Sequence, residues 1–226
     1  MPPTFDMDRN KRIQVIAGQV QAYLKKSCGR RSAADRRLFQ RYLLDHEYRW
    51  RHTLRVAQFG KIIAETEEAN VELVILACLL HDIAWFDTPA EKSIEHGRQG
   101  ARIADGLLTS LGLKAEEIAE ITDAIAAHVD TESPKSLTAS ILSDADNVDR
   151  HGPYRTLQWC FSDIKEYEKL ANKLNERLQR LEECRSKNPL HTPTGRQLFE
   201  EQLDLQIAFF SGFVGEKEIS FVPTID

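Results

Sequence analysis

The sequence has no apolar run approaching the roughly 18 residues that a membrane-spanning helix requires. It also lacks paired cysteines. Cys28, Cys78, Cys160 and Cys184 stand far apart with no CxxC spacing, which argues against a disulfide framework or a zinc knuckle and for free thiols in a reducing compartment. The start, Met1-Pro-Pro-Thr-Phe-Asp-Met-Asp8, has neither the basic opening nor the apolar core of a secretory signal. A cytoplasmic protein with no membrane partner is the expectation. No excess of basic charge is present: 30 Lys and Arg stand against 35 Asp and Glu, a net charge of −5. That does not point to a surface built to coat nucleic acid, although it leaves room for a local basic patch, and no polymeric nucleic-acid partner is expected. Prolines are few and fall mostly at segment edges, and neither strand-and-turn alternation nor an internal repeat is visible.

What is present is helical periodicity along almost all of the 226 residues. Ile13, Ile16, Val20 and Tyr23/Leu24 share one face of a helix from about Arg9 to Lys26. Ser32 is an N-cap for a second helix, to about His46. A long helix carries Leu54, Val56, Phe59, Ile62 and Ile63. Val71 to Ile83 is apolar nearly throughout and reads as a buried helix. Thr88 to Ser93 is a loop or lid, and helices follow over Ser93–Leu111, Ala115–His128 and Ser136–Asp149. Asp163 to Lys187 is a charge-rich amphipathic helix, either solvated or a dimer surface. The last helix runs from Thr194 to Gly212. The expected fold is one all-α domain over residues 1–226: N-terminal helices over 9–46, a core from about 48 to 155, and a C-terminal helical hairpin over about 160–215.

The buried helix ends in an unusual way. His81 and Asp82 follow seven apolar residues, Val74-Ile-Leu-Ala-Cys-Leu-Leu80, and neighbouring helical side chains point about 100° apart, so the pair cannot lie in one apolar stripe. His52 lies on the preceding helix, and Asp144 and Asp146 on a later one. His96 begins one helix and His128 ends another. Imidazole and carboxylate from several helices of a bundle suit a divalent cation. Such a cation binds phosphoryl oxygen and acidifies water.

Three segments, Arg51-His52-Thr-Leu-Arg-Val56, Ala77-Cys-Leu-Leu-His-Asp-Ile83 and Ser143-Asp-Ala-Asp-Asn-Val148, resemble the HD-domain metal-dependent phosphohydrolases, in the small stand-alone bacterial form. The resemblance covers roughly residues 50–155. It implies His52, His81, Asp82 and Asp146 as metal ligands, with Asp146 preferred because the family's last ligand follows Ala, and Asp144 as an outer or helix-capping residue. Glu95-His-Gly-Arg and Ala126-Ala-His-Val resemble the segments that supply further histidines, so His96 and His128 either hold a second metal or contact substrate phosphate. The implied cofactor is one divalent ion (Mn, Fe, Mg, Co or Ni), with a second left open.

The chain departs from the named subfamilies. After the doublet, Ala84-Trp85-Phe86 replaces the Gly-Lys of the cyclic-dinucleotide phosphodiesterases, the Glu of the nucleotide monophosphatases and the Glu-Asp of the alarmone hydrolases. None of those specificities carries over. Several residues keep two readings. Arg55 neutralises substrate phosphate or pairs with a carboxylate. Asp87 acts as a base or, preferably, caps the lid. Arg98, Arg102 and Lys92 clamp phosphates or are solvated. Trp85 and Phe86 stack on a base or fill the core. His46, His151 and His191 belong to the surface or to helix ends. The expected function is hydrolysis of a phosphoester or phosphoanhydride of a nucleotide or related small metabolite. Asp82, His96, His128 and Arg55 are the candidate catalytic residues, and a homodimer remains open. The alternatives are a di-iron HD-type oxygenase and a non-catalytic ligand-sensing HD module.

Overall fold

A computed structural model describes residues 8–41, 44–88, 95–129, 134–163 and 167–218. The described residues form ten helices and no strand: α1 (Arg9–Arg30), α2 (Ala33–Arg41), α3 (His46–Thr66), α4 (Val71–Leu80), α5 (Glu95–Ser110), α6 (Ala115–Ala127), α7 (Leu137–Arg150), α8 (Pro153–Asp163), α9 (Tyr167–Lys187) and α10 (Pro193–Glu218). The all-α expectation holds. None of these helices is long and apolar enough to cross a membrane.

The centre of the fold is α4. Leu73, Val74, Leu76, Ala77, Cys78, Leu79 and Leu80 are all buried, as expected of a helix apolar on every side. It packs against α1, α3, α5, α6 and α7. Ile16, Val20 and Leu24 of α1 are fully buried against it, at the spacing read from the sequence. Gly60 of α3 allows close approach: a Cβ there would lie 2.6 Å from Cys78 Sγ. Gly97 of α5 serves the same purpose, since a Cβ would stand 3.1 Å from the carbonyl oxygens of Ile125 and Ala126 on α6. This pairing brings His96 and His128 together.

A second apolar cluster, Val148, Leu174, Leu181, Leu190, Phe199, Leu203 and Phe210, joins α9 and α10 to the end of α7. Phe59 and Leu198 pack against both clusters.

Helix ends depart from expectation in several places, and the first helix runs on to Arg30, through Gly29, rather than ending near Lys26. The second helix is described to Arg41, and His46, expected at its end, instead begins α3, where the Asp45 carboxylate accepts from Tyr48 N (3.1 Å). The apolar helix stops at Leu80 rather than Ile83. There the His81 ring occupies the Cys78 carbonyl (2.7 Å), and the chain continues in tight turns, Ile83 N to Leu80 O and Trp85 N to Asp82 O. Helix α8 was not expected. Pro153 opens it, at the position where a missing N–H does no harm. The last helix runs on to Glu218, beyond Gly212. Lys92 and the stretch 89–94, expected as a lid, lie outside the described residues.

Candidate metal centre

Each candidate side chain reaches the site from a different part of the bundle. His52 sits in the middle of α3. His81 and Asp82 follow α4, His96 is the second residue of α5, His128 follows α6, and Asp146 lies on α7. His81 and His128 hold equivalent positions: each is the residue after its helix, and each places Nδ1 on the carbonyl three residues back, Cys78 O at 2.7 Å and Ile125 O at 2.6 Å. A carbonyl only accepts, so Nδ1 carries the hydrogen and the neutral ring presents the Nε2 lone pair. The Nδ1 of His52 is held in the same manner by Asp149 Oδ2 at 2.7 Å. Three rings thus turn their Nε2 atoms toward one point.

That point is Asp82, which is buried. Its two oxygens face different partners. Oδ2 lies 3.2 Å from His81 Nε2 and 3.4 Å from His52 Nε2. Oδ1 lies 3.1 Å from His96 Nε2 and 3.7 Å from His128 Nε2. Asp146 Oδ1 joins the first set, 3.3 Å from His52 Nε2. Within each set two imidazoles face one another: His52 and His81 at 3.3 Å, His96 and His128 at 3.0 Å (Nε2 to Nε2). Two opposed lone pairs repel each other unless a cation or a proton lies between them. The donor geometry therefore fits divalent cations in two groups, His52-His81-Asp82 and Asp82-His96-His128.

The electrostatics agree. Burial disfavours the imidazolium of His52, but hydrogen bonds to Asp146, Asp149 and Asp82 outweigh it and raise the ring to about 10. Burial alone would raise the carboxyl of Asp82. Arg49 and the surrounding histidines instead hold it well below the usual range, and Arg150 and His52 do the same for Asp146. Burial lowers His128, which favours the neutral, ligating ring. A cation would take the place of the proton on His52.

A cavity of about 490 Å³ opens on these residues. Arg49, Arg150 and Arg155 line it together with Tyr48, Trp85 and Asn147. Arg150 Nη1 stands 3.5 Å from Asp146 Oδ2.

Several expectations change. Arg55 does not line the cavity. It grips Asp149 through Nε (2.5 Å) and Nη2 (3.2 Å), behind His52. Of its two readings, the carboxylate pair is the one present. Asp87 accepts from Tyr23 Oη (2.7 Å) and Arg30 Nη2 (2.6 Å), tying the turn to α1. Asp144 points away from Asp146, as residues two apart on a helix must. It accepts from His191 N (2.8 Å), Thr192 N (2.7 Å) and Thr192 Oγ1 (2.7 Å), at the start of α10. Arg98 meets Glu95 on an exposed face, and Arg102 is exposed. Phe86 is core, against Phe39, whereas Trp85 lines the cavity. His151 places Nδ1 on Asn147 O at the end of α7.

Sequence reasoning missed Asp149, Arg49, Arg150 and Arg155. The signals for two of them were spacing: Asp149 follows Asp146 by one turn, and Arg49 precedes His52 by one turn.

Comparison with known proteins finds relatives for the segment that carries this geometry. The HD domain family model matches residues 49–151. Ribonuclease Y of Desulforamulus reducens is 30% identical over 120 residues, 53% of this chain and 22% of that protein. Ribonuclease Y of Aster yellows witches'-broom phytoplasma is 32% identical over 104 residues, 46% of this chain and 18% of that protein. The chain therefore spans about a fifth of the length of these relatives. Among solved structures, a predicted HD superfamily hydrolase from an uncultured Thermotogales bacterium aligns with a TM-score of 0.61 at 25% identity, covering 90% of this chain and 92% of that one. Bacillus subtilis YpgQ, solved in complex with ADP, aligns with a TM-score of 0.61 at 21% identity over 95% of this chain and 98% of its own. An HD-superfamily hydrolase from Bacillus thuringiensis gives 0.66 at 19%, over 94% and 100%. Residues 49–151 are similar to the HD domain, and His52, the His81-Asp82 doublet and Asp146 all lie inside that matched segment.

Proposed function

We propose that the protein is a metal-dependent phosphohydrolase that cleaves a phosphoester or phosphoanhydride of a nucleotide or related small metabolite. The observation that carries this reading is the division of Asp82, with each carboxylate oxygen facing its own pair of histidine Nε2 atoms. His52, His81, Asp82 and Asp146 hold one divalent cation. Asp82, His96 and His128 hold a second. The nitrogen-rich donor set suits Mn²⁺, Fe²⁺, Co²⁺ or Ni²⁺ better than Mg²⁺. Bound there, such cations supply positive charge for a phosphoryl oxygen and lower the pKa of water.

The protein's own residues supply the remainder. Asp149 and the Cys78 and Ile125 carbonyls fix the ring tautomers. Arg150 and Arg155 stand in the cavity wall, where an anionic substrate meets fixed positive charge. Tyr48 and Trp85 add aromatic surface. The cavity volume falls in the range of small-ligand sites, roughly 300–1,000 Å³. The ADP bound to B. subtilis YpgQ, a protein of the same fold, supports a nucleotide-sized ligand.

The test combines metal analysis with a phosphate-release panel of nucleotides, sugar phosphates and short oligoribonucleotides, run with Mn²⁺, Co²⁺, Fe²⁺ and Mg²⁺. Metal-dependent phosphate or pyrophosphate release from a small nucleotide, lost together with the metal in Asp82→Ala, is the expected result. An Asp82→Ala protein with full metal content and full turnover overturns the assignment. Iron content with O₂ consumption and no phosphate release assigns the oxygenase alternative instead.

A further inference from the structure

Asp82 Oδ2 has more claimants than one oxygen can serve. It faces His52 and His81, and it also accepts from Arg49 Nη1. Arg49 stands one turn before His52 on α3, so the ring and the guanidinium reach the same carboxylate. The guanidinium carbon lies 4.1 Å from the centre of the Trp85 ring. The side chain is only 11% exposed, and its Nε is buried without a hydrogen-bond partner. Arg49 also lines the cavity. It is therefore a desolvated cation with unused donors, held between an aromatic face and a carboxylate.

A guanidinium and a divalent cation on the same carboxylate oxygen repel one another, and burial strengthens that repulsion. We propose that Arg49 is an internal counter-ion of Asp82 that yields the oxygen when metal binds and, retained in the cavity by Trp85, becomes the anchor for the substrate's phosphate. The inference rests on the reading that Asp82 holds a cation. Trp85 is suited to the exchange. Its ring attracts the guanidinium without neutralising it, whereas an acidic residue at that position would capture Arg49 and a lysine would repel it. One residue then couples the two binding events. Metal releases the anion anchor, phosphate draws the guanidinium off Asp82, and each ligand tightens the other by the same factor.

The test is calorimetric titration of Mn²⁺ into the metal-stripped protein, followed by titration of inorganic phosphate into the Mn²⁺-loaded protein. Wild type is compared with Arg49→Gln and Arg49→Met, two variants that remove the charge while keeping much of the stem. Circular dichroism and melting confirm that each is folded. Both variants are expected to bind Mn²⁺ more tightly than wild type, by a factor in the typical coupling range of roughly 5–150, and to bind phosphate more weakly once loaded. Unchanged or weaker Mn²⁺ binding in a folded variant overturns the counter-ion exchange, as does unchanged phosphate binding. A wild-type protein that binds no Mn²⁺, Co²⁺ or Fe²⁺ overturns the underlying metal reading, a separate and recognisable failure.

Discussion

His52 Nδ1 meets Asp149 Oδ2 at 2.7 Å, and the same carboxylate is gripped from its other side by Arg55. Asp149 takes its place through α7, one turn after Asp146. A single helix therefore offers one carboxylate to the metal side of His52 and another to its back. The chain Arg55–Asp149–His52 fixes the ring's orientation and leaves Nε2 free to act as a ligand.

Asp149→Asn is expected to weaken metal binding about 10–100-fold, the usual effect of losing an outer partner of a ligating histidine. Helical content should be retained, because Asn is nearly isosteric. Calorimetric titration with Mn²⁺ measures the loss. Wild-type affinity in this variant would show that Asp149 serves Arg55 alone.

The two groups around Asp82 predict metal stoichiometry. Wild type purified without a metal-affinity tag is expected to carry two ions per chain. His128→Ala should carry one, since it removes a ligand from the Oδ1 side while His52, His81 and Asp146 stay in place. Asp82→Ala should carry none, because Asp82 belongs to both groups. Elemental analysis distinguishes these values. A wild type holding one ion, with His128→Ala unchanged, would return His96 and His128 to the role of substrate contacts.

The sequence made the all-α class and the ordered set His52, His81-Asp82, Asp146 legible because both are patterns of spacing. Helical periodicity located α1 and α4, falling short of the end of α1 at Arg30 and overrunning the end of α4 at Leu80. It failed at His81, where a side chain replaces the backbone in satisfying the Cys78 carbonyl, and at α8, whose buried Thr156 and Gln158 give no apolar stripe. Arg55 illustrates a different limit. Its position one turn from His52 was visible, but its direction was not, because the carboxylate it meets lies 94 positions away. Arg49, one turn to the other side, lines the cavity together with Arg150 and Arg155.

Asp144 separates structural from functional carboxylates. It is fully buried and accepts three hydrogen bonds from residues 191 and 192. Burial raises its pKa, although those hydrogen bonds oppose the rise. Asp144→Ala leaves buried donors unmet at the start of α10, and destabilisation on the order of 3 kcal/mol is expected. Metal content should be unchanged, because both Asp144 oxygens are taken by residues 191 and 192, away from the histidines of the site. Urea unfolding and elemental analysis of the same preparation check both halves, and loss of metal from a folded Asp144→Ala protein would reverse the choice of Asp146 over Asp144.

Metal binding is expected to expel a proton from His52. Burial opposes the charge on this ring, but Asp146, Asp149 and Asp82 raise it from 6.5 to about 10, so the metal-free site holds a proton at neutral pH. A ring whose folded value lies above its unfolded value adds stability that is fully present below about pH 6.5 and is lost as pH rises through about 10. The chelator-treated protein should therefore melt at progressively lower temperature across that window. With Mn²⁺ in place of the proton, that dependence should flatten. Because each ion that enters the His52 side displaces one proton, apparent affinity should climb about tenfold per pH unit between neutrality and pH 9. Titrations at one pH in two buffers of different ionisation heat count the released protons directly. A count of zero would mean that His52 is already neutral before the metal arrives, and that the three carboxylates around it are balanced by Arg49, Arg55 and Arg150 alone.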